Sequence, residues 1–366
     1  MSFFVSCVSL FIALLLFFPV STAANFTASP TITNAPVAAE LKFFSLDHKD
    51  VAAVAIETRL PAANESDPSC YTFEPQYRIA RASDSITITI AAQPMLPANS
   101  YAQASAIRTA RLNQLTMTAA DNEISLAIAY NPKKSEPAIT TVKRKPVIQP
   151  DNSIIFRTYL VLTFADTPTA KLPKTIVLDP GHGGTALGAT SNDLLEKELN
   201  LDIALLSRDL FRGQGYDVYL TRTDDSNPSL LDRADAANIL QADLFLSIHN
   251  NSMPADMPAA AKRLYRGTTV LYNSSANKPA KELAIMLADQ LAAALRIHQY
   301  PLQDRPGLVV LNATHVPAVI AEVAMMPHPQ DAKMLSQRIY RLEAAQAIFQ
   351  ATDKYFSIIS LSAGGI

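Results

Sequence analysis

An apolar run that breaks off in Asp-Pro-Gly-His-Gly-Gly constrains the fold of this chain more than any other stretch. The run begins at Thr175 and ends at Asp179-Pro180-Gly181, and His182 then stands between glycines. A short apolar segment followed by turn residues predicts a parallel strand that is buried on both faces. His182 would then lie at the carboxyl end of a strand, where open α/β sheets bind their ligands.

Helices and strands are predicted to alternate after this first strand. Leucine and isoleucine recur at helical spacing from Glu196 to about Gly213, which predicts an amphipathic helix. Further helices are predicted at Leu230–Leu240, Lys278–Leu295 and Gln330–Tyr355, and strands at Tyr216–Thr221, Leu244–Ile248, Thr268–Tyr272, Leu308–Leu311 and Val319–Val323. This alternation predicts an α/β fold over residues 174–357, with a mostly parallel sheet covered by helices on both faces, and leaves 358–366 as a tail.

The region before residue 165 has a period of two instead. Ile86, Ile88 and Ile90 alternate with Thr87 and Thr89, and similar segments are separated by Pro, Asn and Asp turns. The pattern predicts a small all-β N-terminal domain over residues 41–165, most simply a β-sandwich, joined to the α/β domain by a linker at 166–173. No residue pattern in this accessory domain indicates chemistry.

The first 23 residues have the pattern of a signal peptide. Phe11 to Phe18 form an apolar core, and Ser21-Thr22-Ala23 supply the small residues of a cleavage site. Residues 24–40, rich in Ala, Thr, Pro and Asn, predict a spacer. The alternative is an uncleaved membrane anchor, but the apolar run is short for a segment that spans a membrane.

The amino-acid composition indicates in which compartment the protein acts and which classes of binding partner are not expected. The 31 Lys and Arg residues nearly balance the 33 Asp and Glu residues, which gives no electrostatic reason to expect nucleic acid or, after signal cleavage, a membrane as partner. Of the two cysteines, Cys7 would leave with the signal peptide and Cys70 would remain without a partner. An exported chain without an internal disulfide fits a bacterial periplasm or secretion to the cell wall.

Three further residues fit one site with His182. Glu196 opens a predicted helix, His249 ends a predicted strand, and Glu322 lies inside another. Two histidines, a carboxylate ligand and a spare carboxylate are what a hydrolytic zinc site needs.

Each of these residues also has a structural interpretation. Glu196 and its neighbour Glu198 could both serve only to stabilise a helix N-terminus. A lone histidine at a strand end is more often a hydrogen-bonded structural residue than a ligand. A carboxylate in an apolar strand is costly unless it is paired or functional, so a structural salt bridge from Glu322 to Arg233 or Arg222 is the alternative there.

The motifs together resemble the zinc-dependent N-acetylmuramoyl-L-alanine amidases of the third amidase family. They cover residues 174–356 in the family's order, as Asp179–Gly184, Glu196-Lys197 with Asn200-Leu201, Leu220–Arg222, Arg233–Asn238, Ser247–Asn251 and Pro317–Glu322. The resemblance implies Zn²⁺ bound by His182, Glu196 and His249, with Glu322 as the catalytic carboxylate. It also makes Arg233 and Asn251 candidates for supporting roles.

The resemblance further implies an exported peptidoglycan hydrolase. Its substrate bond would be the amide between N-acetylmuramic acid and L-alanine of the stem peptide, and the N-terminal domain occupies the place of a wall-targeting domain. The alternatives are a catalytically silent peptidoglycan-binding homologue and a zinc peptidase that acts within the stem peptide.

No regulatory plug is expected over the site. Some periplasmic members of the family insert a long helix after the second histidine motif and need an activator protein to remove it. Here only Ser252 to Gly267 separate Asn251 from the next predicted strand, and Lys278–Leu295 has the pattern of a core-facing helix. We therefore expect a site that is open to solvent and an enzyme that requires no activator.

Overall fold

The computed structural model describes residues 38–48, 51–60, 77–91, 93–94, 112–120, 123–130, 137–144, 146–148, 153–163, 173–254, 256–275 and 278–363. The predicted signal peptide, residues 24–37 of the predicted spacer, residues 166–172 of the predicted linker and both cysteines lie outside this range. The chain divides into two compact units after Pro168, which falls within the predicted linker.

The N-terminal unit contains two sheets built from short strands. The strands are β1 Ala38–His48, β2 Val51–Leu60, β3 Tyr77–Arg81, β4 Ser85–Ala91, β5 Gln93–Pro94, β6 Leu112–Ala120, β7 Glu123–Tyr130, β8 Ala138–Lys143, β9 Val147–Ile148 and β10 Ile154–Thr163. One sheet has the order β5-β1-β2-β10-β8, with β9 also paired to β10, and the other has the order β3-β4-β7-β6. All neighbouring strands are antiparallel except β1 and β5.

Both sheets contribute to one apolar core. Ile86, Ile88 and Ile90 of β4 are buried together with Val54 of β2 and Leu160 of β10. The alternate residues Thr87 and Ser85 are only half-buried, because successive side chains of a strand point to opposite faces. The period of two in the sequence therefore corresponds to strands that bury one face against the opposite sheet.

The C-terminal unit is a six-stranded sheet covered by helices. Its strands are β11 Thr175–Pro180, β14 Asp217–Leu220, β15 Leu244–Asn251, β16 Thr269–Tyr272, β17 Gln303–Asp304 and β18 Ala318–Met325, and β12 Thr190–Ser191 and β13 Leu194–Leu195 form a separate hairpin. Its helices are α1 Glu196–Gly213, α2 Leu230–Ile239, α3 Ala259–Lys262, α4 Lys278–Leu295, α5 Val309–Ala313, α6 Pro329–Leu335 and α7 Arg338–Ala363.

This sheet is mixed, with its parallel part at the candidate site. The strand order is β14-β11-β15-β18-β16-β17. β14, β11, β15 and β18 are parallel to one another, β16 is antiparallel to β18, and β17 is parallel to β16. His182 lies two residues after the end of β11, and His249 and Glu322 lie in the parallel pair β15 and β18. Three of the four candidate residues thus come from adjacent parallel strands.

Alternate residues of β11 face two different apolar clusters. Ile176 and Leu178 belong to the larger cluster, which includes residues of α1, α4 and α7. Val177 belongs to the smaller cluster, which includes residues of α2 and α5. Helices therefore cover both faces of the sheet, which explains why its strands are continuous apolar runs rather than alternating ones. None of the helices in the described part of the chain has the length and hydropathy needed to cross a bilayer.

Two predicted elements were wrong. Leu308–Leu311 is not a strand, since helix α5 occupies Val309–Ala313, and a short apolar run does not distinguish the two by its periodicity. The predicted last helix is broken at Ser336-Gln337 into α6 and α7, and α7 continues to Ala363 through most of the predicted tail. The tail residues up to Ala363 contain no glycine or proline, so nothing in them ends the helix before Gly364.

Candidate metal centre

His182 is held in an unusual backbone conformation two residues after the end of β11. Its φ angle is 63°, in the left-handed region that few residues other than glycine adopt. The preceding residue must be glycine, because a Cβ added to Gly181 would lie 2.2 Å from the His249 ring. The loop therefore brings the two histidines together, with ring centroids 4.8 Å apart and an interplanar angle of 77°.

Glu196 lies between the two histidines. Its Oε1 atom is 3.1 Å from His182 Nε2 and 3.0 Å from His249 Nδ1. The carboxylate also accepts hydrogen bonds from the backbone N–H groups of Ala189 (2.7 Å, to Oε2) and Asn250 (3.2 Å, to Oε1). The alternative ligand, Glu198, is exposed on the same helix. The structure thus brings Glu196 rather than Glu198 to the histidines.

These contacts shift the pKa values of Glu196 and His249. Burial by itself would raise the pKa of Glu196, but its hydrogen bonds to His182 and His249 outweigh burial and hold that pKa well below its usual range. Burial would lower the pKa of His249, but the hydrogen bond to Glu196 and the nearby charge of Glu322 raise it. Glu196 is therefore a carboxylate anion, the form that binds a cation.

Glu322 lies beside His249 across the β15–β18 pair. The two residues are register partners in this parallel ladder. The Oε2 atom of Glu322 is enclosed and has no hydrogen-bond partner among the described residues. Burial raises the pKa of Glu322 to about 7, because the effect of burial is larger than the opposing effect of the His249 charge. A buried, unpaired carboxyl oxygen is costly, so it is more often functional than structural.

The donor set fits a zinc ion. One ligand atom from each of His182, Glu196 and His249 lies within 4.8 Å of the others. Two ligands on a tetrahedral zinc ion are about 3.3 Å apart, given metal–ligand bonds of about 2.0–2.1 Å. The distances from Glu196 to the two histidine nitrogens, 3.1 and 3.0 Å, are close to this separation. Three protein ligands leave a fourth position open, as catalytic zinc sites require.

A buried ion pair anchors the loop that carries His182. Arg233 donates to Asp179 Oδ1 (2.9 Å) and to the carbonyl oxygen of His182 (2.8 Å). Thr221 and Ser247 donate their hydroxyl protons to the two carboxylate oxygens of Asp179, at 2.6 and 2.7 Å. Arg233 thus contacts the loop that carries His182, and its carboxylate partner is Asp179 rather than Glu322. Its supporting role stays a prediction.

A second arginine holds the same loop from another direction. Arg222 donates to the carbonyl oxygens of Pro180 and Gly181, each at 2.9 Å, and to that of Lys197 at 2.7 Å. These contacts link the β11 loop to the first turn of α1, and therefore His182 to Glu196. The salt bridge from Arg222 to Glu322 does not form. Among the described residues, the Asn251 side chain has one hydrogen bond, which it accepts from Ser252 N, and none to the four candidate residues.

The sequence analysis assigned no role to Asp179 or Asn200, and it named Arg222 only as a possible partner of Glu322. Asn200 donates to Gly181 O (3.2 Å) and Glu196 Oε1 (3.3 Å). The sequence contained one signal for the role of Asp179. This charged residue ends an apolar run, and a buried charge requires a partner. The identity of that partner, 54 positions away, was not visible in the sequence.

Comparison with known proteins identifies the family of the C-terminal unit. The profile of the Amidase_3 family, described as N-acetylmuramoyl-L-alanine amidase, matches residues 176–354. The Bacillus subtilis protein YqiI is 31% identical over 201 residues, which are 54% of this chain and 93% of YqiI. The chain belongs to the Amidase_3 family. The predicted family is thereby confirmed, and the match contains His182, Glu196, His249 and Glu322.

Two other comparisons describe the extent of the similarity. The N-acetylmuramoyl-L-alanine amidase LytC of Bacillus subtilis is 37% identical over 183 residues, and the chain spans only 36% of the length of LytC. A solved N-acetylmuramoyl-L-alanine amidase from Clostridium difficile 630 is 28% identical, with a TM-score of 0.48, over 51% of this chain and 98% of that one.

Proposed function

We propose that this chain is an exported, zinc-dependent peptidoglycan hydrolase that cleaves the amide between N-acetylmuramic acid and L-alanine of the stem peptide. The observation that carries the proposal is the unpaired Glu322 carboxyl oxygen, next to a His-Glu-His donor set in a chain of the Amidase_3 family. A metal-binding set alone would suit a structural site. A spare carboxylate beside it is what hydrolysis needs in addition.

Three residues would hold the zinc ion. His182 offers Nε2, His249 offers Nδ1, and Glu196 offers Oε1, the atoms that already approach one another. When bound, zinc supplies a Lewis acid that polarises the scissile carbonyl group and acidifies water. The backbone N–H groups of Ala189 and Asn250 orient the Glu196 carboxylate, which limits its motion when substrate enters.

Glu322 would act as the general base and then as the general acid. Its free oxygen accepts a proton from the attacking water and returns that proton to the leaving amine of L-alanine. Thr268 supports the backbone of β18 at this residue, since it donates its hydroxyl proton to the Glu322 carbonyl oxygen at 2.8 Å. The ladder between β15 and β18 places that backbone beside His249.

The remaining parts of the proposal concern the setting of the enzyme. We propose that it acts in the periplasm or the cell wall, that the β-rich N-terminal domain contributes to wall targeting, and that no activator protein is required. Where the structure describes the segment from Ser252 to Arg266, it contains one helix, α3, of only four residues. A helix of that length offers little chain with which to plug the site.

The bond that is cut separates the proposed function from its alternatives. Purified peptidoglycan digested by the zinc-loaded chain should release intact stem peptides with a free amino-terminal L-alanine and leave glycan strands with unsubstituted lactyl groups. Mass spectrometry of both fractions makes the measurement. Shortened peptides with new internal ends would identify a peptidase, and binding to peptidoglycan without any release would identify a silent wall-binding homologue.

A further inference from the structure

A buried amide side chain on α1 joins two of the proposed metal ligands. Asn200 is fully buried and lies about one helical turn after Glu196. Its Nδ2 atom donates to Oε1 of Glu196 at 3.3 Å and to the carbonyl oxygen of Gly181 at 3.2 Å. Gly181 directly precedes His182. The side chain of Asn200 thus contacts one ligand directly and the backbone before another.

The same amide reaches the segment of the third ligand through Asn250. The Oδ1 atom of Asn200 accepts from Nδ2 of Asn250 at 2.9 Å, and the backbone N–H of Asn250 donates to Glu196 Oε1 at 3.2 Å. Asn250 directly follows His249 in β15 and is itself buried. The segments that carry all three proposed ligands are therefore joined by hydrogen bonds to Asn200 and Asn250.

The partners of this pair fix which way each amide faces. A carbonyl oxygen and a carboxylate anion can only accept, so the nitrogen of Asn200 must face Gly181 and Glu196. Its oxygen then faces Asn250, which must present its own nitrogen in return. This arrangement leaves Oδ1 of Asn250 enclosed and without a hydrogen-bond partner among the described residues. An unpaired buried oxygen costs stability, so we would not expect it in a pair that served stability alone.

We propose that Asn200 is the positioning residue of the metal centre and that Asn250 orients its amide, an inference that rests on the proposed function. Asn200 holds Oε1 of Glu196 between the two histidine nitrogens and ties the β11 loop to α1. Without these bonds the metal itself would have to order its ligands, at a cost in conformational entropy on binding. An aspartate could not replace this amide, because it would present only acceptors to Gly181 and Glu196.

Zinc affinity of the full chain tests this without requiring turnover. The metal-free wild type and Asn200→Ala are titrated with zinc in competition with a chromophoric chelator. Since hydrogen-bond partners of metal ligands typically contribute that much, Asn200→Ala should bind zinc roughly 10–100-fold more weakly. With cobalt(II) in place of zinc, the visible absorption spectrum of Asn200→Ala should also differ from that of the wild type, because the spectrum depends on the geometry of the ligand atoms.

A second buried asparagine separates positioning from a general loss of stability. Asn238 on α2 donates to the carbonyl oxygen of Ala313 at 2.9 Å and accepts from the N–H of His315 at 2.7 Å, and neither bond reaches a candidate ligand. Both Asn238→Ala and Asn200→Ala should lower Tm, since each removes buried hydrogen bonds. Only Asn200→Ala should change the zinc affinity and the cobalt spectrum. Equal loss of zinc affinity in the two variants would overturn the positioning role.

Asn250→Ala keeps the test decisive if Asn200→Ala does not fold. It removes the unpaired oxygen together with one hydrogen bond, so the loss of stability should be small. The Asn200 amide then lacks the partner that orients it, and zinc affinity should fall about threefold to tenfold, roughly the equivalent of one hydrogen bond.

The wild-type titration separates this proposal from the proposed function. Wild-type zinc affinity in Asn250→Ala, or in a folded Asn200→Ala, overturns the positioning role and leaves the proposed function standing. A wild-type chain that binds no zinc overturns the metal centre, and with it both proposals.

Discussion

Replacement of Asp179 by asparagine should destabilise the C-terminal unit far more than an ordinary charge removal. The side chains of Asp179 and Arg233 are each only 2% exposed. Asp179→Asn keeps the volume and leaves the Arg233 guanidinium buried without a counter-charge, although it still donates to backbone carbonyl oxygens. Removal of one partner from a buried ion pair costs about 3–5 kcal/mol. We therefore expect the free energy of unfolding to fall by about 3 kcal/mol, the lower end of that range.

Calorimetry and a matched variant make this test quantitative. For a unit of this size, 1 kcal/mol corresponds to a shift in Tm of roughly 2–4 °C, so Tm should fall by about 6–12 °C. Asp209→Asn removes the same charge from an ion pair with Arg208 in which the aspartate is 65% exposed. An exposed pair contributes about 0.2–1 kcal/mol, so this control should lower Tm by at most about 4 °C. Equal shifts in the two variants would refute the argument that Asp179 anchors the His182 loop.

Three further predictions follow from the site. Gly181→Ala places a Cβ 2.2 Å from the His249 ring and should weaken zinc binding at least about tenfold. The control Gly213→Ala, which has open space around the new Cβ, should bind zinc as the wild type does. Unchanged zinc affinity in Gly181→Ala would contradict the close approach of Gly181 to His249. Because the pKa of Glu322 is raised to about 7, ionisation of this carboxyl group opposes folding increasingly as pH rises from about 4.5 to 7. In denaturation experiments, metal-free Glu322→Gln should therefore be more stable than metal-free wild type at pH 8. At pH 4 the two proteins should have nearly equal stability. The purified, zinc-loaded chain should digest peptidoglycan alone, and inactivity until an activator is added would contradict the open site.

Much of the candidate site could be predicted because its residues mark the ends of recognisable elements. His182 and His249 follow apolar runs, Glu196 begins an amphipathic helix, and parallel strands bring their carboxyl ends to one edge. Glu322 was visible as a charge inside an apolar strand. Spacing alone did not distinguish Glu196 from Glu198 as the ligand. That distinction required either the direction of each side chain on the helix or the family resemblance.

The contacts that stabilise the site were less predictable, because they join distant parts of the chain. Arg233 pairs with Asp179 across 54 positions, and nothing in the local pattern distinguishes that partner from Glu322. The segment at Leu308–Leu311 was wrongly predicted as a strand for a related reason. Its burial depends on packing against α2 and β15, which the local period does not reveal. Strand order in the N-terminal unit is likewise a matter of long-range pairing.

The most direct test of the central claim is a paired measurement of zinc content and turnover in Glu322→Gln. The amide preserves the volume of the side chain but cannot accept the proton from water, and Glu322 is not among the proposed ligands. Elemental analysis should therefore find about one zinc ion per chain, as in wild type, while turnover of a muramoyl peptide falls roughly 10²–10⁴-fold. A variant that retains zinc and near-normal turnover would contradict the assignment of Glu322 as the catalytic carboxylate.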